Sequence, residues 1–379
     1  MSRLGRRVAS RILLAAARLL PRRLSPWARA MERELAEIAD DRAALAFASG
    51  CLRAVLGLAF VTASSTLGVP TMKGISARPR LLGLLCGAGA VAMGVAYMVA
   101  AEAPARYLAV NLAALMLGAA AWLALGRAAA ARLAGAGPLI LALAAALLLT
   151  ALFGIAVEGA SRWVSVGPLS LQVSLIVVPV MLVLYARQPD EMGTAAMVAA
   201  ALALALQPDR AMAGVLLAGL LALLLAKPAR LPVVAVAAAA PAFGWALLVP
   251  DRLPASPYVD RILYTAFDHH PLAGAAVAIG AAALILPAMV GASREASERP
   301  ALLAFGACWL GMVAAALLGN YPTPLVGYGG SAVLGYLLSA ALLPSRALQR
   351  GAGAMPGSLS ADGRSTDQTI SELRMPHPA

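Results

Sequence analysis

An all-α polytopic membrane protein of about ten transmembrane helices is the fold class this sequence predicts, and three observations predict it. Hydrophobic residues make up 61% of the 379 residues and charged residues only 13%, where a soluble domain carries about 25% charge. Mean hydropathy is +0.82, and apolar runs near the bilayer-crossing length of about 20 residues recur along the chain. The segments between the runs alternate between basic and non-basic, as cytoplasmic and outward loops do. No long alternating strand pattern competes, which argues against an outer-membrane barrel.

The chain opens with Arg3, Arg6, Arg7, Arg11, Arg18, Arg22, Arg23, Arg29 and Arg33 among Leu and Ala. The apolar pieces between them are too short to span, and the arginines interrupt any signal-peptide core. Residues 1–42 therefore predict a cytoplasmic amphipathic and charged helical segment that lies on anionic lipid. Residues 43–69 are apolar but contain Arg53. A full span there would carry the Arg-rich N-terminus to the outside, so a half-inserted segment fits the charge pattern better than a span.

Ten spans follow, near 81–101, 106–126, 137–157, 170–187, 193–206, 211–227, 231–250, 272–291, 300–318 and 328–343. Lys73, Arg78 and Arg80 precede the first, Arg127 and Arg132 follow the second, and Arg187 follows the fourth. Lys227 and Arg230, Arg294 and Arg299, and Arg346 and Arg350 follow the sixth, eighth and tenth. These loops read as cytoplasmic, with both ends of the 81–345 domain inside. The polar, Gly/Ser/Pro-rich residues 351–379 predict a disordered cytoplasmic tail.

Composition also bounds the chemistry. The net charge of +12, from 30 basic and 18 acidic residues, sits mostly in short loops and at the N-terminus. It reads as a topology and lipid signal, and no basic-aromatic module for nucleic acid accompanies it. Three cysteines in apolar runs and three histidines form neither a disulfide framework nor a metal site. No cofactor is indicated.

The loops on the outward side gather the unusual polar residues. The first carries Gly159-Ala160-Ser161-Arg162-Trp163-Val164-Ser165-Val166-Gly167, followed by Gln172 and Ser174 at the next helix start. Residue types alone equally fit a headgroup-zone loop, with Trp at the interface and Arg snorkelling beside it. The second is Gln207-Pro208-Asp209, which also fits a turn with an Asp helix cap. The last is Tyr328-Gly329-Gly330-Ser331, where paired glycines allow close approach to a ligand or to another helix.

In this order and spacing the three motifs resemble the SEDS family, the shape, elongation, division and sporulation proteins of the FtsW/RodA/SpoVE type. The chain departs from the family pattern at Val173, Leu175 and Val178, which stand for a Pro, a Glu and a Lys. The resemblance implies a ten-helix domain over 81–345 in a bacterial cytoplasmic membrane, acting in cell-wall synthesis, shape or division. It implies a peptidoglycan glycosyltransferase polymerising lipid II beside a class B penicillin-binding protein. Substituted family positions leave open a lipid-binding scaffold or a transporter of lipid-linked precursor. By the same resemblance Arg162, Trp163, Gln172, Ser174, Asp209, Arg261, Tyr328, Gly329, Gly330 and Ser331 would bind the lipid-linked sugar. The family's catalytic carboxylate falls in the stretch Asp268-His269-His270-Pro271. One alignment places His270 there and a shorter loop places Asp268, which is the candidate base. An acidic helix cap is the competing reading of Asp268.

Overall fold

The computed structural model describes residues 9–10, 13–14, 25–38, 40–41, 43–51 and 78–343, apart from 133–134, 168, 252 and 294–295. The tail at 351–379, most of residues 1–24 and the remainder of 43–69 lie outside the described residues. Near the N-terminus, helix α1 (Ser25–Glu37) presents a charged, exposed face. Its Leu35 packs with Leu13, Ala44 and Ala48.

Ten apolar segments follow in the predicted order: α2 (Pro79–Ala100), α3 (Ala105–Arg132), α4 (Gly137–Phe153), α5 (Val173–Arg187), α6 (Glu191–Leu206), α7 (Arg210–Ala226), α8 (Arg230–Leu248), the pair α10 (Pro271–Ala283) and α11 (Leu286–Ala292), α12 (Arg299–Leu318) and α13 (Gly330–Ala341). Among the described residues, five stretches are long and apolar enough to cross a membrane, and five apolar helices are shorter. Pro287 accounts for the break between α10 and α11. It has no N–H to donate, and its ring clashes with the carbonyl four residues back.

Three expectations are corrected. The backbone of α3 stays helical to Arg132, so Arg127 and Arg132 belong to a helix and not to a loop. The supposed loop after α4 is a three-stranded antiparallel sheet, β1 (Ile155–Val157), β2 (Ala160–Val166) and β3 (Leu169–Gln172). The stretch from Asp251 to Pro271, which the charge pattern predicts to be an outward loop, contains a short helix, α9 (Ile262–His269).

Helix α5 is the centre of the bundle. It packs against α4, α6, α7, α12 and α13, and its side chains from Leu175 to Ala186 are nearly all buried. A helix apolar all round belongs in such a place. Glycines set the closest contacts. A Cβ on Gly335 of α13 would run into the Leu175 carbonyl oxygen of α5, and one on Gly94 of α2 would run into that of Val326. Tyr336, Trp309 and Phe305 fill the space between α12 and α13 with edge-on and tilted ring contacts.

The loops sort to two ends. At one, Arg187 at the end of α5 donates to the Leu342 carbonyl after α13 (2.6 Å) and pairs with Glu298 before α12 (3.7 Å). At the other, the sheet, the 207–209 turn, the 249–261 loop and the 319–329 loop meet. The polar motifs of the sequence are all at this second end.

Candidate functional site

The sheet is made by its turns. Glu158 and Gly159 form a two-residue loop between Val157 and Ala160, both with positive φ (49° and 83°), the geometry of a type I′ hairpin. Gly167 opens the second two-residue loop with φ 59°. Alternation along β2 then turns Ala160 and Arg162 inward. The Arg162 guanidinium is 4% exposed. It donates to the Pro208 carbonyl (2.5 Å) and pairs with Asp251 (3.2 Å).

Asp209 is fully buried and ties three elements together. One carboxylate oxygen accepts from the Gln172 amide (3.2 Å) and the Ser174 hydroxyl (3.0 Å). The other accepts from the Met212 N–H (3.1 Å) and so caps α7. The Gln172 backbone N–H donates to the Ser331 hydroxyl (3.0 Å), which fixes the start of α13 against β3. Asn111 of α3, also fully buried, donates to the Gly327 carbonyl (2.9 Å) and accepts from the Gly329 N–H (3.0 Å). Gly329, at φ 158°, has the backbone freedom this turn requires.

These clamps enclose a cavity of about 740 Å³. Its wall includes Arg162, Trp163, Gln172, Tyr328, Gly329 and Ser331, so six of the sequence-predicted residues share one hollow. Ser174 and Asp209 lie behind the wall and hold it in place through Gln172. Gly330 faces α3, close to Ala114. Leu175 lines the cavity and Val178 is fully buried, so the two family carboxylate and amine positions are apolar here.

Asp268 is exposed on α9 and is not among the cavity-lining residues, and Arg261, at the N-cap position of α9, is likewise exposed and outside that lining. The cap before α10 is supplied by His270, whose Nδ1 accepts from the Leu272 N–H (3.1 Å), and not by an acidic residue. The carboxylate in the cavity wall is Asp260, 8% exposed. One of its oxygens accepts from the Ser256 N–H (2.7 Å), and its backbone bridges to Pro322 of the facing loop. Burial raises its pKa above the ordinary carboxylate value; the Ser256 bond opposes this and the charge of Asp251 adds to it.

Arg106, at the start of α3, is a second cavity residue that sequence reasoning missed. It is exposed, sits 5.3 Å over the Tyr107 ring and has no acidic partner among the described residues. Tyr107 in turn stacks on Tyr328 at 3.9 Å, and Tyr258 meets its edge. Arg162 spends its charge on Asp251, whereas Arg106 presents an uncompensated guanidinium to the hollow. The available signal was position, because Arg106 begins a span on the same side as the Arg162 loop.

Two solved structures share this arrangement of helices. The rod shape determining protein RodA of Thermus thermophilus, as a point variant, matches with a TM-score of 0.51 and 23% identity, over 69% of this chain and 94% of that one. The unsubstituted RodA matches with a TM-score of 0.50 and 22% identity, over 69% and 93%. The fold is that of RodA. The SEDS resemblance carried by the three motifs is thus met in the architecture, and the ten-helix polytopic reading with it. No family model matches the sequence, and no curated protein matches it.

Proposed function

We propose that this chain is a SEDS-type protein of bacterial cell-wall synthesis whose cavity takes a lipid-linked sugar pyrophosphate at the outward face of the cytoplasmic membrane. The observation that carries this reading is the single hollow that joins Arg162, Gln172, Tyr328 and Ser331 from two distant motifs with Arg106 and Asp260, while Asp209 of the third motif holds Gln172 from behind. The division of labour differs from the one implied by the motifs. Arg106 is the cation for the pyrophosphate, because a guanidinium fork is permanently charged and bidentate towards phosphate oxygens. Arg162 shapes the wall. Asp260 is the base: its raised pKa gives a carboxylate of greater basicity, and its second oxygen has no hydrogen-bond partner among the described residues. It accepts the proton of an acceptor hydroxyl while that oxygen bonds to the anomeric carbon of the donor. The bond from that carbon to the pyrophosphate breaks, and the pyrophosphate leaves with the electron pair.

The second reading is a scaffold that binds the lipid without polymerising it. The apolar Leu175 favours it, since it stands in the cavity wall where the family pattern has a carboxylate, and Val178 is buried apolar packing where that pattern has an amine. A gel assay for polymer from labelled lipid II separates the two. Polymer from the native protein, its loss in Asp260→Asn and its retention in Asp268→Ala are expected. Undiminished polymer from Asp260→Asn contradicts the base assignment, and bound lipid II without polymer favours the scaffold.

A further inference from the structure

A second hollow of about 440 Å³ lies between α7, α8 and α12. Helix α7 packs against α8 on one side and α12 on the other, leaving a wedge between α8 and α12. Gly214 lies against the Phe243 ring and Gly311 against Val215, so α7 packs closely on both neighbours and the hollow opens between those two. Its flank is lipid-facing, with Leu247 51% and Leu318 89% exposed.

The head of this groove is polar and carries excess positive charge. Arg162 and Arg210 share one carboxylate, Asp251, at 3.2 and 3.7 Å. That carboxylate is already occupied. It accepts from Arg162, from the Tyr321 hydroxyl (3.1 Å) and from the Leu253 N–H (3.3 Å). Arg210 makes no hydrogen bond to it, and among the described residues Arg210 has no other acidic partner. Two guanidiniums against one carboxylate leave one positive charge at the top of an apolar slot. A half-exposed guanidinium beside a low-dielectric wall attracts an anion more strongly than one in open water.

We infer that this groove binds an anionic phospholipid, with its phosphate at Arg210 and one acyl chain between α8 and α12. Size argues against a partner helix. A helix 10 Å across rising 1.5 Å per residue fills about 120 Å³ per residue, so the groove would admit only about one turn. An unbranched chain fits an apolar slot of this kind and continues into the bilayer past Leu318. The groove borders the larger cavity through Leu253, Asn320 and Tyr321, but the lipid assignment does not rest on what that cavity binds.

Native mass spectrometry of the delipidated full chain tests this, with phosphatidylglycerol and phosphatidylcholine of identical acyl chains as probes. The native protein is expected to retain phosphatidylglycerol at least tenfold better than phosphatidylcholine. Arg210→Gln is expected to erase the preference, Arg210→Lys to keep most of it, and Ala314→Trp, which fills the slot, to lower retention of both lipids. Equal retention of the two lipids by the native protein overturns the site, as does a preference unchanged in Arg210→Gln. A second copy of the chain whose association Ala314→Trp disrupts would mark an interface and also overturn it.

Discussion

Two arginines on the same cavity wall do different work because one is neutralised and the other is not. Arg162 is buried against Asp251 and the Pro208 carbonyl. Replacing it with Gln removes the nearer of the two cations beside Asp251 and leaves Arg210 at 3.7 Å, a loss on the order of 1.5–3 kcal/mol as for one charged hydrogen bond, and should lower the thermal unfolding midpoint in detergent. Arg106 is exposed and unpaired, so Arg106→Gln should leave that midpoint within a degree or two. Its effect should appear in affinity for undecaprenyl pyrophosphate, weakened about tenfold or more, as for loss of one charged hydrogen-bonding partner. If instead Arg162→Gln is stable and Arg106→Gln binds normally, the assignment is reversed. Asp260 sets the pH dependence. A base must be ionised, and its burial raises the pKa. Polymerisation should therefore fall as pH drops, with a midpoint above that of an ordinary carboxylate, and stability should move the opposite way. The native state holds the Asp260 proton more tightly than the unfolded chain, so its contribution to stability is lost as pH rises through the raised value. Asp260→Asn should flatten that slope in unfolding measurements between mildly acidic and neutral pH.

At the scale of elements, close backbone approach holds the bundle together. The Gly335–Leu175 contact leaves no room for a Cβ, whereas Gly89 on α2 has open space beside it. Gly335→Ala should cost about 1–3 kcal/mol through overpacking, and Gly89→Ala should cost nothing measurable; equal midpoints for the two variants would mean that the α5–α13 contact is not as tight as described. The ten apolar helices were legible because hydrophobic length and basic loops are properties of composition, which a bilayer enforces on any fold. The sheet was not. Ile155–Val157 continues an apolar helical run, and only the pair Glu158–Gly159 and Gly167, with alternation along 160–166, signalled hairpins. Helix α9 was hidden because Arg261 enters it through a left-handed backbone conformation that no side chain announces. Arg162, Trp163, Gln172 and Ser331 were found by motif. Asp260, Asn111 and Arg106 were not, because each acts through loops that meet only in the folded molecule.

For the whole molecule, the claim is that distant outward loops assemble one hollow at one end of a membrane-spanning bundle. The contacts divide the loops in the way the charges predict, with Arg187 and Glu298 at one end and Arg162 and Asp251 at the other. In intact cells a membrane-impermeant maleimide should therefore label Ser170→Cys, in the cavity wall, and not Lys227→Cys, at the far end of α7. The reverse pattern would turn the cavity towards the cytoplasm and remove the wall-synthesis reading. The most direct test is equilibrium binding of labelled lipid II to the native chain and to Ser170→Trp in lipid nanodiscs. Ser170 is an exposed lining residue, so the bulky side chain fills the hollow without disturbing the core. The account predicts saturable binding by the native protein and binding at least tenfold weaker by Ser170→Trp. Absence of saturable binding, or equal binding by the two proteins, would contradict it.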